Sequence, residues 1–341
     1  MDYKRTLGLN SFEALEFILM QFYIRPIFQF LFLPLETFFQ KKKLSISPLV
    51  YIKFYYSKIF LDLFFWIFLK LKYLFKKGKF FYKGKEIIFS LTSIEGREDS
   101  LKYSLMSLLL QKTPFNSIHV YLPRVSLDII KKNKNLFNVF LKEGINFNIK
   151  NNALGTHRKY IFNSNLHEKF HMCLVDDDYF YDQWVLTDLI YNASLSKTRI
   201  STLYKWKIRW KKNKQYPEKR QNWQKSLINP VKNSSDLFTY VDDAYTFYES
   251  KLFSREFFNI KNIQQLCTMK ITGIIGFDDD WIKWNLYKKK YKVSYSRRWS
   301  LINSVSENIA AQKKNNHAYL SSTYDNADKI VENLIEFLNI K

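Results

Sequence analysis

The sequence predicts an α/β protein with a mainly parallel sheet. Three observations lead there: short apolar runs alternate with helix-length stretches after residue 84. One run, His171 to Val175, ends directly in Asp176-Asp177-Asp178. The texture before residue 80 is different, almost continuously apolar and aromatic with scattered lysines. Alternating strand and helix signals are the mark of βαβ units, whose strands lie parallel in one sheet.

In order, residues 86–92 (EIIFSLT) read as a first strand, 100–111 as a helix and 117–122 as a second strand. Residues 126–143 then read as one helix, 145–149 as a third strand and 156–169 as another helix. The strand 171–175 follows, with a helix expected from near Tyr181. The organisation expected is an apolar basic helical extension over 1–80, a catalytic domain over 85–300 and a tail over 301–341 that ends in a helix.

The chain has 341 residues, 47% of them hydrophobic and 18% aromatic, which supplies a core and excludes global disorder. Its formal charge of +23 suits an anionic partner, whether phosphate, lipid or nucleic acid, and is also what an AT-rich coding composition yields. Arg-rich stripes, an RNP-like motif and a helix-turn-helix pattern are absent, so nucleic acid is not expected as a partner. Cys173 and Cys267 form no CxxC, which suggests neither a disulfide framework nor a thiolate metal site and fits a reducing compartment.

In the extension, Phe17 to Phe39 is interrupted by Arg25, Pro26 and Pro34, which argues against a spanning helix. The second apolar segment, Tyr51 to Phe75, carries Lys53, Lys58, Asp62, Lys70 and Lys72 and has no charge-free run long enough to cross a bilayer. Lys58, Asp62, Lys72 and Lys76 fall near one side at 100° per residue. The expectation is an in-plane helix that sinks Phe side chains and Trp66 into an anionic membrane surface while its lysines meet headgroups. The alternative is a helical hairpin packed on protein.

The acidic run stands where an open α/β sheet binds ligands, at the carboxyl end of a strand. Three adjacent carboxylates repel one another, and a hard divalent cation is the usual remedy. As the strand ends, Asp176 and Asp178 would address a nucleotide and a metal together, with Mg²⁺ or Mn²⁺ bridging to a diphosphate. The competing reading is an acidic turn before a helix. A second group, Asp278-Asp279-Asp280, precedes the helix-like IKWNLYKKK. A carboxylate there, apart from the first cluster, suits a general base that deprotonates an acceptor hydroxyl; helix N-capping is the alternative.

These segments together carry a resemblance. IIFSLTSIEGRE (87–98), LGTHRKYIF (154–162), VDDDYFYDQWV (175–185) and FDDDWIKW (277–284) are similar, in order and spacing, to bacterial GT-A glycosyltransferases of surface-polysaccharide and lipooligosaccharide synthesis. The resemblance implies a GT-A sheet, a nucleotide-sugar donor, a glycan or glycolipid acceptor, an Mn²⁺ or Mg²⁺ cofactor, inversion, and a cytoplasmic protein on the inner face of the membrane. It implies donor contacts at Thr92, Ser93, Arg97, Lys159, Asp176 and Asp177, with His157 and Arg158 near the phosphates. Asp178 would be the metal ligand, Asp279 the base and Asp278 its neighbour. The chain departs from the family at Asp242-Asp243-Ala-Tyr-Thr-Phe-Tyr, where relatives tend to have a glycine-rich turn.

Two other classes compete with this reading. His167-Glu-Lys-Phe-His171 matches the HExxH zinc-hydrolase pattern, but His171 opens an apolar strand, which would break the required helical alignment. A non-catalytic basic membrane-binding module would use the extension alone.

Overall fold

The structure is a computed structural model. It describes residues 48–74, 78–149, 156–161, 166–203, 206–207, 224–225, 234–236, 239–240, 246–252, 278–295 and 324–340, with isolated positions before residue 20. The expectations for Phe17–Phe39 and for the Asp242-Asp243 pair lie outside these residues, Leu19 aside.

In chain order the elements begin with α1 (Pro48–Leu74), β1 (Ile87–Thr92), α2 (Glu98–Leu109), β2 (Ser117–Leu122), α3 (Arg124–Lys131), α4 (Lys134–Lys142) and β3 (Ile145–Ile149). They continue with α5 (Arg158–Ile161), β4 (His171–Leu174), α6 (Val185–Ser196), β5 (Ile200–Thr202), β6 (Trp206–Lys207), β7 (Gln224–Lys225) and β8 (Ser234–Asp236). Last come β9 (Thr239–Tyr240), β10 (Thr246–Tyr248), α7 (Asp278–Lys288), β11 (Val293–Tyr295) and α8 (Tyr324–Phe337).

The main sheet has the order β3-β2-β1-β4-β10-β5-β11-β8, and a small sheet has the order β7-β6-β9. In the main sheet β1 pairs in parallel with both β2 and β4, so Ser90 stands opposite His119 on one side and Leu174 on the other. β10 runs antiparallel between β4 and β5, β11 is parallel to β5, and β8 closes the edge antiparallel to β11. The mainly parallel α/β architecture expected from the sequence is the one observed.

Every residue of β1 is buried, as a strand covered by helices on both faces requires. Its alternation divides the core. Ile87, Phe89 and Leu91 join one cluster with Phe65 of α1, Leu105 of α2 and Leu189 of α6. Ile88 joins the other with Met172, Leu174, the α7 residues Trp281 and Trp284, and Leu334 of α8. β4 repeats the division, since Cys173 and Val175 belong to the first cluster. No described helix is long and apolar enough to cross a membrane.

Three helix expectations are corrected. The single helix over 126–143 is two helices, because the side chain of Asn133 accepts a hydrogen bond from Leu136 N–H and caps a fresh start. Of the helix expected over 156–169, the described residues form the one-turn α5 and a 3₁₀ turn at Leu166–Glu168 in place of its last turn. The helix expected near Tyr181 starts at Val185, after a turn in which Asp182 accepts from both Trp184 N–H and Val185 N–H.

Candidate active site

The chain runs from β1 outward through β2 to β3 and then returns to place β4 on the other side of β1. The carboxyl ends of β1 and β4 therefore flank a topological switch point, the place where open α/β sheets hold ligands. Thr92 and Ser93 end one strand, and Val175 leads into Asp176-Asp177-Asp178 at the end of the other. Val175 N–H still donates to Ser90 C=O (3.1 Å), so the acidic run begins where the ladder stops.

The three carboxylates have different surroundings. Asp177 is buried; Ser93 Oγ donates to its Oδ2 (2.5 Å) and Arg97 Nη1 to its Oδ1 (3.0 Å). The same Nη1 lies 3.5 Å from Oδ2 of Asp178, whose side chain is 6% exposed. Asp176 is the most open, with 37% of its side chain exposed, and it accepts from Lys159 Nζ (3.1 Å).

Electrostatics follow from this crowding. Asp177 beside it pushes the Arg97 guanidinium upward, burial opposes this, and Asp178 adds to the rise. Asp178 is pushed up to about 7, first by burial; Arg97 opposes the rise while Asp177 and Asp176 add to it. Near neutral pH its acid and carboxylate forms are both populated. Arg158 is a third cation within electrostatic reach of Asp177, so the acids and bases of the cluster largely balance one another.

The acidic loop is pinned to α2. Tyr181 OH donates to Asp176 C=O (3.0 Å) and accepts from Asp176 N–H (2.7 Å), and burial raises this phenol well above its ordinary range. Ser104 Oγ donates to Tyr179 C=O (2.8 Å), and Ser107 Oγ accepts from Tyr181 N–H (2.9 Å). Gln111 donates to Asp182 C=O (2.7 Å) and accepts from Leu186 N–H (3.0 Å). The sequence reading missed these supports. Their signal is the three- and four-residue spacing of Ser104, Ser107 and Gln111, one helical face that runs just past the end of α2 at Leu109.

Segment 156–161 crosses the end of β1. Thr92 Oγ1 donates to Thr156 C=O (3.3 Å), Ser90 Oγ donates to Lys159 C=O, and Arg158 Nη2 donates to Ser93 C=O (3.3 Å). Arg158 and His157 are fully buried, and burial lowers the Arg158 guanidinium. His157 Nδ1 is bonded to Tyr160 OH. Lys159 pairs with the acidic loop through Asp176.

The second acidic group occupies the first turn of α7, where the positive end of the helix favours carboxylates. Asp280 is fully buried, next to the core residue Trp281. The side chains of Asp278 and Asp279 lie outside the described residues.

Among the described residues no three His, Cys, Asp or Glu side chains form a metal cage. A magnesium-type ion at a diphosphate needs less, one or two carboxylates with phosphate and water completing the shell. Asp176, whose side chain is 37% exposed, and Asp178 two residues on could supply that smaller donor set. His171 does not fit a zinc site: it opens β4, its Nδ1 accepts from Ser250 N–H (3.0 Å), and its Nε2 meets Tyr82 C=O (2.7 Å).

No family model matches the chain, and no curated protein matches it. Among solved structures it is similar to crystal structures of S. aureus TarS. For TarS 1-349 the identity is 14% over 62% of this chain and 59% of that chain, with a TM-score of 0.38. For its complex with UDP the identity is 14% over 62% and 57%, with a TM-score of 0.39. For the complex with UDP-GlcNAc it is 16% over 64% and 60%, with a TM-score of 0.34. This chain spans less than two thirds of the length of those TarS chains.

Proposed function

We propose that the chain is a glycosyltransferase of the GT-A type, moving a sugar from a nucleotide-sugar donor to a glycan or glycolipid acceptor in bacterial surface-polysaccharide synthesis, with inversion. The observation that carries this reading is the convergence of Ser93, Arg97 and Lys159 on three consecutive aspartates at the switch point between β1 and β4. A diphosphate with its cation suits that mixture of acidic and basic groups, the bases meeting phosphate oxygens and the acids the cation.

In this reading the ends of β1 and β4 bind the donor. Thr92 and Ser93 line the nucleotide side, and Asp176, the most open of the three acids, contacts the ribose or sugar. Asp177 has both oxygens engaged by Ser93 and Arg97, and its part is to hold that guanidinium in place. Mg²⁺ or Mn²⁺ would be held by Asp178 and would supply Lewis-acid stabilisation of the leaving diphosphate. Lys159 adds a fixed positive charge beside Asp176.

The second half of the chemistry belongs to the α7 acids. Asp279, with Asp278 as its neighbour, takes the proton from the acceptor hydroxyl as that oxygen bonds to the anomeric carbon. The bond from that carbon to the diphosphate oxygen breaks, and its electron pair leaves with the nucleoside diphosphate.

The test is release of nucleoside diphosphate by the full chain, with a panel of nucleotide sugars, a membrane-extract acceptor, and Mn²⁺, Mg²⁺ or EDTA. Turnover of at least one donor that EDTA abolishes is expected. Failure to bind or turn over every donor overturns the reading.

A further inference from the structure

The polar side of α1 identified in the sequence faces protein. Lys58 Nζ donates to Asp99 Oδ2 (2.9 Å), Tyr103 OH donates to Asp62 (2.7 Å), and Lys72 Nζ donates to Leu109 C=O (2.6 Å). All three partners are in α2, and between these contacts Leu61, Phe65 and Leu69 enter the main core. The charged residues that a membrane-surface helix would turn toward headgroups are thus spent on docking.

What remains outside is mainly apolar. Ile59, Leu63, Trp66, Ile67 and Leu71 lie on the arc opposite that seam at 100° per residue, and Leu63 and Ile67 near its centre are 63% and 52% exposed. Lys70 lies exposed on the same arc. In sequence the helix is bracketed by Lys41, Lys42 and Lys43 before it and by Lys76, Lys77 and Lys79 after it. A largely apolar face of this kind marks an interaction surface, and an exposed lysine within it, with lysines flanking the helix in sequence, selects an anionic one.

We propose that the outward face of α1 is a contact surface for an anionic lipid bilayer, with Leu63 and Ile67 at the centre of the inserted patch and Lys70 beside them. This goes beyond the transferase reading and does not depend on it. The orientation is opposite to the one the lysine pattern suggests: Lys58 and Lys72 face the domain, and the bulky apolar side chains face lipid. Because α2 carries both the α1 seam and the supports of the acidic loop, through Tyr103 and the adjacent Ser104, the bilayer contact and the candidate active site share one helix.

The test is co-sedimentation of the full chain with vesicles of phosphatidylglycerol and phosphatidylcholine, against phosphatidylcholine alone. Wild type is expected to bind the anionic vesicles and to release in high salt. Leu63→Glu/Ile67→Glu should weaken binding roughly tenfold or more, whereas Leu141→Glu, an exposed apolar position on α4, should not change it. Lys70→Glu, which disturbs no apolar packing, should weaken it roughly fivefold or more, since a lysine near such a surface contributes about 1 kcal/mol. Unchanged nucleoside-diphosphate affinity in these variants separates this outcome from failure of the transferase reading. Equal vesicle binding by wild type and the α1 variants overturns the proposal. So does a wild-type dimer that binds no vesicles and that Leu63→Glu/Ile67→Glu converts to monomer, which would assign the face to a second copy of the chain.

Discussion

Arg97 donates to Asp177 across 3.0 Å, and Asp177 is closed to solvent. Removing one partner of a buried ion pair leaves the other charge uncompensated. Arg97→Ala should therefore lower stability by about 3 kcal/mol, read from the urea midpoint. Arg97→Lys should recover only part of it, because one nitrogen, Nη1, meets both acids and an ammonium put in its place is more strongly hydrated and costs more to desolvate there.

Asp178 supplies a pH signature. An aspartate in the unfolded chain titrates near about 3.9, whereas here it is held at about 7. Between those values the folded chain keeps a proton that the unfolded chain has lost. The stabilisation from this group is complete below the unfolded value and is lost as pH rises to about 7. Asp178→Asn mimics the neutral acid and should remove that slope from the urea midpoint measured against pH.

The same carboxyl group gives the donor test an opposite sign. If Asp178 must be ionised to hold the divalent cation, metal-dependent donor affinity should weaken as pH falls below about 7. Asp178→Ala should abolish the metal-dependent part of binding by calorimetry. Equal affinity in wild type and Asp178→Ala would refute the metal role.

Asp279→Asn should separate binding from chemistry. A general base contributes roughly 100- to 10,000-fold to rate, so turnover should fall by that order while donor affinity stays at the wild-type value. Normal turnover in Asp279→Asn would move the base to another carboxylate.

Tyr181→Phe removes both hydrogen bonds that close the turn at Asp176. A loss of about 1–2 kcal/mol in stability is expected, together with lower kcat/KM, because the Asp176–Tyr181 turn then keeps its anchors to Ser104, Ser107 and Gln111 but is no longer closed on itself. An unchanged kcat/KM would show that the turn needs no such clamp.

The parallel half of the sheet was legible because its signals are local. The strand at 117–122 and the strand at 145–149 match the observed β2 and β3 at both ends, since each is a short apolar or alternating run bounded by helix or turn residues. The position of the aspartates was legible for the same reason, as they directly follow an apolar strand. Helix ends were less legible where a side chain cuts across the apolar pattern, as Asn133 and Asp182 do.

By itself the sequence determined the βαβ order, the end of β4 at an acidic run, and the presence of a helix over most of residues 51–75. These follow from periodicity and from neighbours in the chain. Only the tertiary structure decided that three residues at 246–248 enter the sheet antiparallel between β4 and β5, since that pairing joins segments remote in sequence. It likewise decided that Asp177 turns inward to Ser93 and Arg97 while Asp176 meets Lys159. The polar stripe of α1 shows the same limit: a helical pattern displays two faces, and only the partner, here Asp99, Tyr103 and Leu109 of α2, determines which one is covered.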